Sequence, residues 1–384
     1  MRVYREPQLG DASGTDSGYA YAKASWIVGK SFLGKKLSQL SGLHTLYELD
    51  RLIFPDNHKE LPGRELLVDM EKRIVQRAVR QILSIVNSFS EPPKLLVRML
   101  KSFEYSDLKE CLSHIISGKE KPVISDIGRF KTVRFNNYPD VASMIKNTEF
   151  EFLLNDDLKQ IKQGMNASNP AWASVDLTAI ETKLDYRFYQ GLIESLYTLS
   201  DEDREVASRL IFDEISLRNC VWAFRLRTYY QKSEIEIAKQ LMDFKLHKNF
   251  YQKRVSVATD ALSSLDLPLD VRLPWRGWKW ERFLNSEEVY LPGESYNALE
   301  TKPSSSQQTV HWMVDPRYFQ NAATQYLHHL AFHNFHALPM SVSAIYCFIK
   351  LKQFEEDILT SIAEALALGM ESSSVFKLLV SEVN

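Results

Sequence analysis

The sequence predicts an all-α protein built from similar helical bundles, and three observations support this. Apolar residues recur with helical spacing along most of the 384 residues, whereas almost no segment alternates with the period of two that strands require. The 14 glycines and 14 prolines are few for this length, which favours long helices over many short strands. Two blocks of the chain also resemble each other in sequence.

The first block contains four predicted helices, preceded by polar residues 1–17, which we expect to be loose. The helices cover Tyr19 to Leu40, Thr45 to Phe54, Leu61 to Val86 and Lys94 to Ile116. Proline interrupts helices, so Pro55 ends the second and Pro92-Pro93 ends the third. Ser106 is a predicted N-cap within the last segment, directly before an aspartate.

The second and third blocks continue the helical pattern. Their predicted helices cover Pro139 to Leu154, Asp176 to Leu199, Asp203 to Tyr230, Ser233 to about Leu246, Pro316 to Phe335 and Met340 to Leu368. Residues 126–134 read as irregular or extended. Residues 268–309 are rich in proline, glycine, serine and tryptophan, and they interrupt the third block.

The two blocks align without a gap when the chain is shifted by 110 positions. Residues 71–86 then match 181–196, with Glu71 on Glu181 and Arg77 on Arg187. A basic and aromatic helix follows in each block, and residues 316–330 with 350–369 form a more diverged third copy. The pattern predicts three helical domains arranged around an axis.

The predicted domain boundaries follow from these repeats. They are a flexible tail at 1–18, repeats at 19–122, 123–250 and 251–384, and a Trp/Pro-rich insertion at about 268–315 within the last repeat.

Composition and missing motifs argue against catalysis and against bulk nucleic-acid binding. Lys and Arg (47) nearly balance Asp and Glu (49), so the net charge of -2 provides no basic field for nucleic acid. We find no complete phosphate loop, no GxGxxG and no GxSxG. Three widely spaced cysteines form no disulfide framework. We therefore expect no cofactor, no metal and no small-molecule substrate.

A histidine cluster gives the only enzymatic alternative. His329 and His333 are spaced i, i+4, so they share one helix face and match the spacing of a zinc site. Leu330 stands where a metalloprotease needs its glutamate, and residues 318–349 contain no Asp or Glu. Packing of the histidines is the simpler interpretation, and a zinc hydrolase is the competing one.

A polar series interrupts the otherwise apolar helix predicted from Asp203. Its members are Asp213, Asn219, Arg225 and Arg227. Two interpretations stay open: these side chains line a polar cavity, or they form intramolecular salt bridges with neighbouring helices.

The Trp/Pro-rich insertion carries a cluster of alternating aromatic and basic residues. The cluster consists of Trp275, Arg276, Trp278, Lys279 and Trp280. Such a pattern suits a lid folded on the core, a contact with a protein partner or a membrane surface, or nucleic acid.

The longest stretch without Asp, Glu, Lys or Arg is 318–349, but its histidines, amides and proline leave too short an apolar run for a membrane span. We therefore expect no transmembrane segment and only a peripheral membrane role.

Several segments together resemble a known family. They are YAYAKASWIVGKSFL (19–33), LYELDRLI (46–53), IETKLDYRFYQGLIESL (180–196), EISLRNCVWAFRLRTYY (214–230) and KLKQFEEDILTSIAEALALG (350–369). In this order they resemble the C subunit of bacterial and archaeal V/A-type ATPases, the counterpart of eukaryotic subunit d. Lys352 and Glu355 fit the pattern of the last repeat, whereas residues 358–360 lack its Asn and Arg.

The resemblance implies three helical bundles that form a funnel around a pseudo-threefold axis. It further implies a non-catalytic rotor adaptor at the cytoplasmic face of a membrane complex. The expected partners are the proteolipid ring subunits and the central-stalk subunits, between which the adaptor transmits torque for ion transport. The competing hypothesis from another class is a soluble helical protein-protein scaffold unrelated to the ATPase.

Overall fold

The computed structural model describes residues 12–156, 177–230, 232, 234–242, 244 and 316–373. Within these ranges all regular secondary structure is helical, which confirms the all-α class. The helices are α1 (Ala12–Lys30), α2 (Leu46–Ile53), α3 (Gly63–Val86), α4 (Lys94–Leu100), α5 (Ser102–Ile116), α6 (Val141–Ile145), α7 (Leu153–Asp156), α8 (Leu177–Leu196), α9 (Asp201–Thr228), α10 (Glu234–Gln240), α11 (Pro316–Ala337) and α12 (Val342–Ala367). Short 3₁₀ helices cover Gly34–Leu40, Gly128–Phe130 and Phe135–Asn137.

The first helix is displaced from its predicted position. It begins at Ala12 rather than Tyr19 and ends at Lys30 rather than Leu40. Gly34 has a φ of 55°, a left-handed conformation that α-helix geometry does not allow, so α1 cannot continue to Leu40, and a separate 3₁₀ helix covers Gly34–Leu40.

Two further predictions were wrong. The single helix predicted over 94–116 is divided at Lys101, so Ser106 lies inside α5 and caps nothing. The helix predicted over 139–154 is reduced to the short α6 and α7. Asn147, with a φ of 59°, turns the chain into the left-handed region just after α6 and prevents a continuous helix.

Side-chain caps fix the start of other helices. The Thr45 hydroxyl accepts a hydrogen bond from the Glu48 N–H at 3.2 Å, and the Glu48 carboxylate accepts one from the Thr45 N–H at 3.3 Å. This capping box satisfies two backbone donors at the start of α2. Ser341 caps α12 with a single bond, because its hydroxyl accepts from the Ala344 N–H at 3.0 Å.

Internal contacts divide the chain into two compact units. The first unit lies within Met1–Ser208 and Ala331–Phe376, and the second lies within Arg209–Leu330 and Lys377–Asn384. The first unit is therefore discontinuous in sequence. The division into repeats at 19–122, 123–250 and 251–384 stays a prediction.

Helix α12 lies at the centre of the first unit. It packs most extensively on α3 and also contacts α1, α2 and α4. Its residues 343–349 are buried on every side of the helix, from Ser343 to Ile349. A helix that is apolar all round must be enclosed by others, so α12 organises the core.

Helices α4 and α8 approach closely at Gly191. A Cβ built at Gly191 would lie 2.3 Å from the Arg98 Nε, which is shorter than any contact that real Cβ atoms make. The Arg98 guanidinium is held there because its Nε donates to the Phe188 carbonyl at 3.2 Å and its Nη2 donates to the Arg187 carbonyl at 2.5 Å. The absence of a side chain at position 191 therefore makes room for this bridge between the helices.

Candidate functional site

The predicted polar series lies on α9, and its described members bond within the second unit. Asp213 is 3% exposed and accepts a hydrogen bond from the Tyr326 hydroxyl on α11 at 2.9 Å. Burial, together with the Asp213 carboxylate, raises the pKa of Tyr326 well above its ordinary value. This tyrosine therefore stays protonated and able to donate at neutral pH.

The Asn219 side chain both donates a hydrogen bond to a backbone segment and accepts one from it. Its Nδ2 donates to the Met242 carbonyl at 2.9 Å, and its Oδ1 accepts from the Met242 N–H at 3.0 Å. The side chain thus mimics a backbone partner and fixes the segment that follows α10. Because Asn219 is 2% exposed, leaving these two backbone groups unpaired there would cost about 1–3 kcal/mol each.

Arg225 donates to the Gln320 side chain on α11, so a third member of the series has an intramolecular partner. The side chain of Arg227 lies outside the described part of the chain. These contacts join α9 to its neighbours in the second unit. A role for the series in lining a cavity stays a prediction.

The aromatic and basic cluster of the insertion, Trp275, Arg276, Trp278, Lys279 and Trp280, lies outside the described residues. Its role as a partner contact stays a prediction.

The histidines of α11 do not form a recognisable metal site. His329 and His333 are both exposed. Across the described ranges, no three His, Cys, Asp or Glu side chains are grouped as metal ligation would need. Burial, followed by the neighbouring His329, lowers the pKa of His328 to about 4, so His328 is neutral at pH 7.

The cysteines are poor nucleophiles. Cys111, Cys220 and Cys347 are free and buried. Burial raises the pKa of both Cys111 and Cys220 to about 12, and it raises that of Cys347 further. Because the thiolate is the reactive form, these thiols are inert at neutral pH.

None of the helices in the described ranges combines the length and the apolar character that crossing a bilayer requires.

The structure also shows a buried charged cluster whose role the sequence did not indicate. The α1–α12 lock consists of Ser31, Phe32, Lys352 and Glu355. Lys352 and Glu355 are 1% and 2% exposed and pair with each other on α12. The Lys352 Nζ also contacts the Ser31 Oγ at 3.1 Å, and the Glu355 carboxylate accepts the Phe32 N–H at 2.7 Å. Residues more than 300 positions apart are thereby joined.

The electrostatics of the lock agree with this geometry. Burial lowers the pKa of Lys352, and the Glu355 carboxylate opposes this shift. A buried charge is tolerated only when it is paired and hydrogen-bonded. Here the carboxylate satisfies a backbone donor at the end of α1, while the ammonium satisfies both the carboxylate and a hydroxyl. The visible signal in the sequence was a Lys-x-x-Glu pair inside an apolar helix.

A second buried cluster, the Arg73 cluster, joins α2 and α3. It consists of Arg73, Asp50, Asp69 and the Asn57 carbonyl. The Arg73 guanidinium contacts Asp50 and Asp69 at 2.5 Å each and donates to the Asn57 carbonyl at 2.9 Å. It also lies 4.3 Å from the ring centre of Phe54. Since Asp50 is fully buried, Arg73 neutralises a charge that has lost its contact with water.

Two carboxylates on α5 hold the irregular segment that follows this helix. Glu104 accepts the N–H groups of Thr132 and Val133 at 2.5 and 2.6 Å. Asp107 accepts the Ser125 N–H at 2.9 Å and the Ser125 hydroxyl at 3.0 Å. These bonds replace the backbone pairing that a helix would have supplied between residues 125 and 133.

Burial raises the pKa of Asp107 from 3.8 to about 6, although the bonds from Ser125 oppose this shift. Asp107 therefore ionises at a lower pH in the unfolded chain than in the folded chain, and its contribution to stability falls by at most about 3 kcal/mol as pH rises from about 4 to 6. We expect Asp107→Asn to lack this loss. The measurement is urea unfolding of both proteins from pH 4 to pH 7.

The control for this prediction is Asp56→Asn, which removes an exposed carboxylate. Its stability profile should run parallel to that of the wild type. Equal pH profiles for the wild type and Asp107→Asn would contradict the assigned cause.

The lock, the Arg73 cluster and the α5 carboxylates share one property. In each of them, charged groups bind backbone groups or opposite charges of the same chain. In the lock the Ser31 hydroxyl lies beside the Lys352 ammonium, but both groups are buried at 1% exposure and bonded within the chain. All three clusters connect separate segments of the chain to one another.

Comparison with known proteins assigns the chain to a family. A family model described as "ATP synthase (C/AC39) subunit" matches residues 59–376. An uncharacterized protein of Treponema pallidum (strain Nichols) is 25% identical over 354 residues, which cover 91% of this chain and 92% of that protein. The family match includes α3, the Arg73 side chain and the Lys352–Glu355 pair. The chain belongs to the ATP synthase C/AC39 subunit family.

Proposed function

We propose that this chain is a non-catalytic rotor adaptor of a V/A-type ATPase. In this role it links the central stalk of the soluble motor to the membrane proteolipid ring and transmits torque for ion transport. The observation that carries the proposal is the family match, which spans residues 59–376 and hence most of the chain.

The buried joints of the first unit support a mechanical role. An element that carries torque must resist shear between its helices, and buried ionic contacts have only a few discrete arrangements. The α1–α12 lock ties the beginning of the described chain to its last long helix. The Arg73 cluster fixes α2 on α3, and Arg98 bridges α4 to α8. Such contacts make the helical bundle more rigid, and they need no substrate or reaction to do so.

The proposal includes an arrangement and a location. The three repeats form a funnel around a pseudo-threefold axis, and the chain attaches peripherally at the cytoplasmic face of the membrane complex. The partners are the proteolipid ring subunits and the central-stalk subunits. The balanced charge supports the absence of nucleic acid among the partners.

The test is deletion of this chain from its host, followed by two measurements on isolated membranes. We expect ATP-driven ion uptake into vesicles to fall at least tenfold, because the soluble motor no longer turns the ring. ATP hydrolysis by the soluble sector should persist after it is released from the membranes. Restoring the wild-type chain should restore uptake.

Undiminished ion uptake after deletion would overturn the proposal. A tagged wild-type chain that recovers neither proteolipid nor central-stalk subunits from solubilised membranes would overturn it as well.

A further inference from the structure

A groove runs between α1 and α3 in the first unit, and the two helices that form it are antiparallel. The Lys23 Nζ donates to the Ser84 carbonyl at 2.8 Å near one end of the groove. At the other end the Arg77 guanidinium lies 5.9 Å from the ring centre of Phe32. Position numbers therefore rise along α1 as they fall along α3.

The two helices line this groove with matching stripes. The lining residues are Lys23, Trp26 and Ile27 from α1, and Arg77, Arg80, Gln81 and Ser84 from α3. Both sets follow the i, i+3, i+4 spacing of a single helix face. The groove has a volume of about 410 Å³, enough to receive several side chains.

The floor and the rim of the groove differ in character. Ile27 is buried and forms an apolar floor, whereas Trp26 is 61% exposed on the rim. The Lys30 ammonium lies 3.8 Å from the ring centre of Trp26, which holds the indole beside a positive charge. An exposed tryptophan next to a basic group is the kind of residue that dominates binding energy at protein interfaces.

The charge of the groove has one sign. Lys23, Arg77 and Arg80 line it, Lys30 lies at its edge, and no carboxylate is among the lining residues. The cations of α1, Lys23 and Lys30, are about 10 Å apart along the helix, and those of α3, Arg77 and Arg80, are about 5 Å apart. A single phosphate would need donors that converge on one point. Cations distributed along a groove fit an extended anionic partner instead.

One lining group also lacks a partner. The Oε1 atom of Gln81 is buried and has no hydrogen-bond partner within the described ranges. A buried acceptor of this kind costs about 1–3 kcal/mol unless a donor reaches it.

We propose that the α1–α3 groove binds an acidic amphipathic helix of another subunit of the ATPase. This inference rests on the proposed function, which supplies the complex. The apolar face of the partner helix packs on Ile27 and Trp26, and its carboxylates meet Lys23, Lys30 and Arg80. The concave shape between two helices favours a helix over a flat lipid surface, because ridges of a third helix fit such a groove.

The experiment compares three variants of the full-length tagged chain in the native complex. Arg80→Glu reverses one charge in the groove, Trp26→Ala removes the exposed anchor, and Lys72→Glu reverses an exposed charge on α3 that does not line the groove. After purification from solubilised membranes, we expect Arg80→Glu and Trp26→Ala to retain one partner subunit at least tenfold less than the wild type. Lys72→Glu should retain it fully.

A photo-crosslinker at Ala22, which is exposed on α1, identifies the occupant in the assembled complex. The expected product is a peptide from an acidic helical segment of the same subunit that Arg80→Glu loses. Circular dichroism and thermal unfolding confirm that the variants fold as the wild type does.

Three outcomes would overturn the inference. Arg80→Glu could retain every subunit at the wild-type level, the crosslinks could fall on segments without acidic residues, or purified chain could bind anionic phosphatidylserine vesicles in an Arg80-dependent manner. The first outcome, in a chain that still recovers proteolipid and stalk subunits, leaves the rotor-adaptor proposal intact. Failure of the wild-type chain to recover either subunit would instead remove the rotor-adaptor proposal.

Discussion

Lys352→Met is expected to lower the free energy of unfolding of the first unit by about 3–5 kcal/mol. The substitution keeps the volume of the side chain but leaves the Glu355 carboxylate buried without its ammonium partner. Removing one member of a buried ion pair costs far more than the pair contributes, because the remaining charge has lost its hydration. The measurement is urea unfolding followed by circular dichroism.

A double-mutant cycle measures the interaction energy between Lys352 and Glu355 separately from their contacts with other residues. Lys352→Met combined with Glu355→Gln should recover part of the loss, because the remaining amide is neutral and still accepts the Phe32 N–H. Glu364→Gln, at an exposed position of α12, serves as control and should change stability by less than about 0.5 kcal/mol. Strictly additive effects of the two lock substitutions would mean that the pair is not coupled.

Arg73→Met is expected to produce a second loss of about 3–5 kcal/mol, by the same physical cause at another joint. Asp50 is fully buried, and Arg73 is its charged partner at 2.5 Å. The variant also loses the bonds to Asp69 and to the Asn57 carbonyl, so α2 should separate from α3. Hydrogen exchange of the α2 amides, measured beside urea unfolding, should show this local opening.

Asp50→Asn in the Arg73→Met background should return part of that stability, because it removes the unpaired charge. Lys72→Met, which alters an exposed neighbour on the same helix, is the matched control. Unchanged exchange in α2 after Arg73→Met would show that this ion pair does not hold the two helices together.

Long amphipathic helices were predictable from sequence because their apolar stripes coincide with their buried faces. On α8, the predicted stripe is buried at every position. Its members are Ile180, Leu184, Phe188, Leu192 and Leu196. The start of α1 and the segment 139–154 were not predictable, since neither carries a strong stripe. In the segment 139–154 the helix is interrupted by the left-handed conformation of Asn147, which the sequence pattern does not predict.

The candidate sites divide in the same way. A polar residue such as Asn219 within a series of apolar positions is predicted to face inward, and Asn219 is buried in the structure. The sequence does not show which group Asn219 binds. Its partner is the Met242 backbone, which is brought to α9 by the path of the chain and not by any local sequence pattern. Lys352 and Glu355 were visible as a spaced pair, but Ser31 and Phe32 lie more than 300 residues away. The α1–α3 groove likewise exists only once two separate stripes lie side by side.

The central position of α12 has a consequence for how the protein is made. A ribosome completes α3 about 280 residues before it completes α12, the helix on which α3 mainly packs. At 5–20 residues per second, this interval lasts about 15–60 seconds. During that time the apolar faces of α1 and α3 lack their largest partner and are open to chaperones or to aggregation. A nascent chain truncated before Val342 should therefore be digested rapidly by protease, whereas the finished chain should resist.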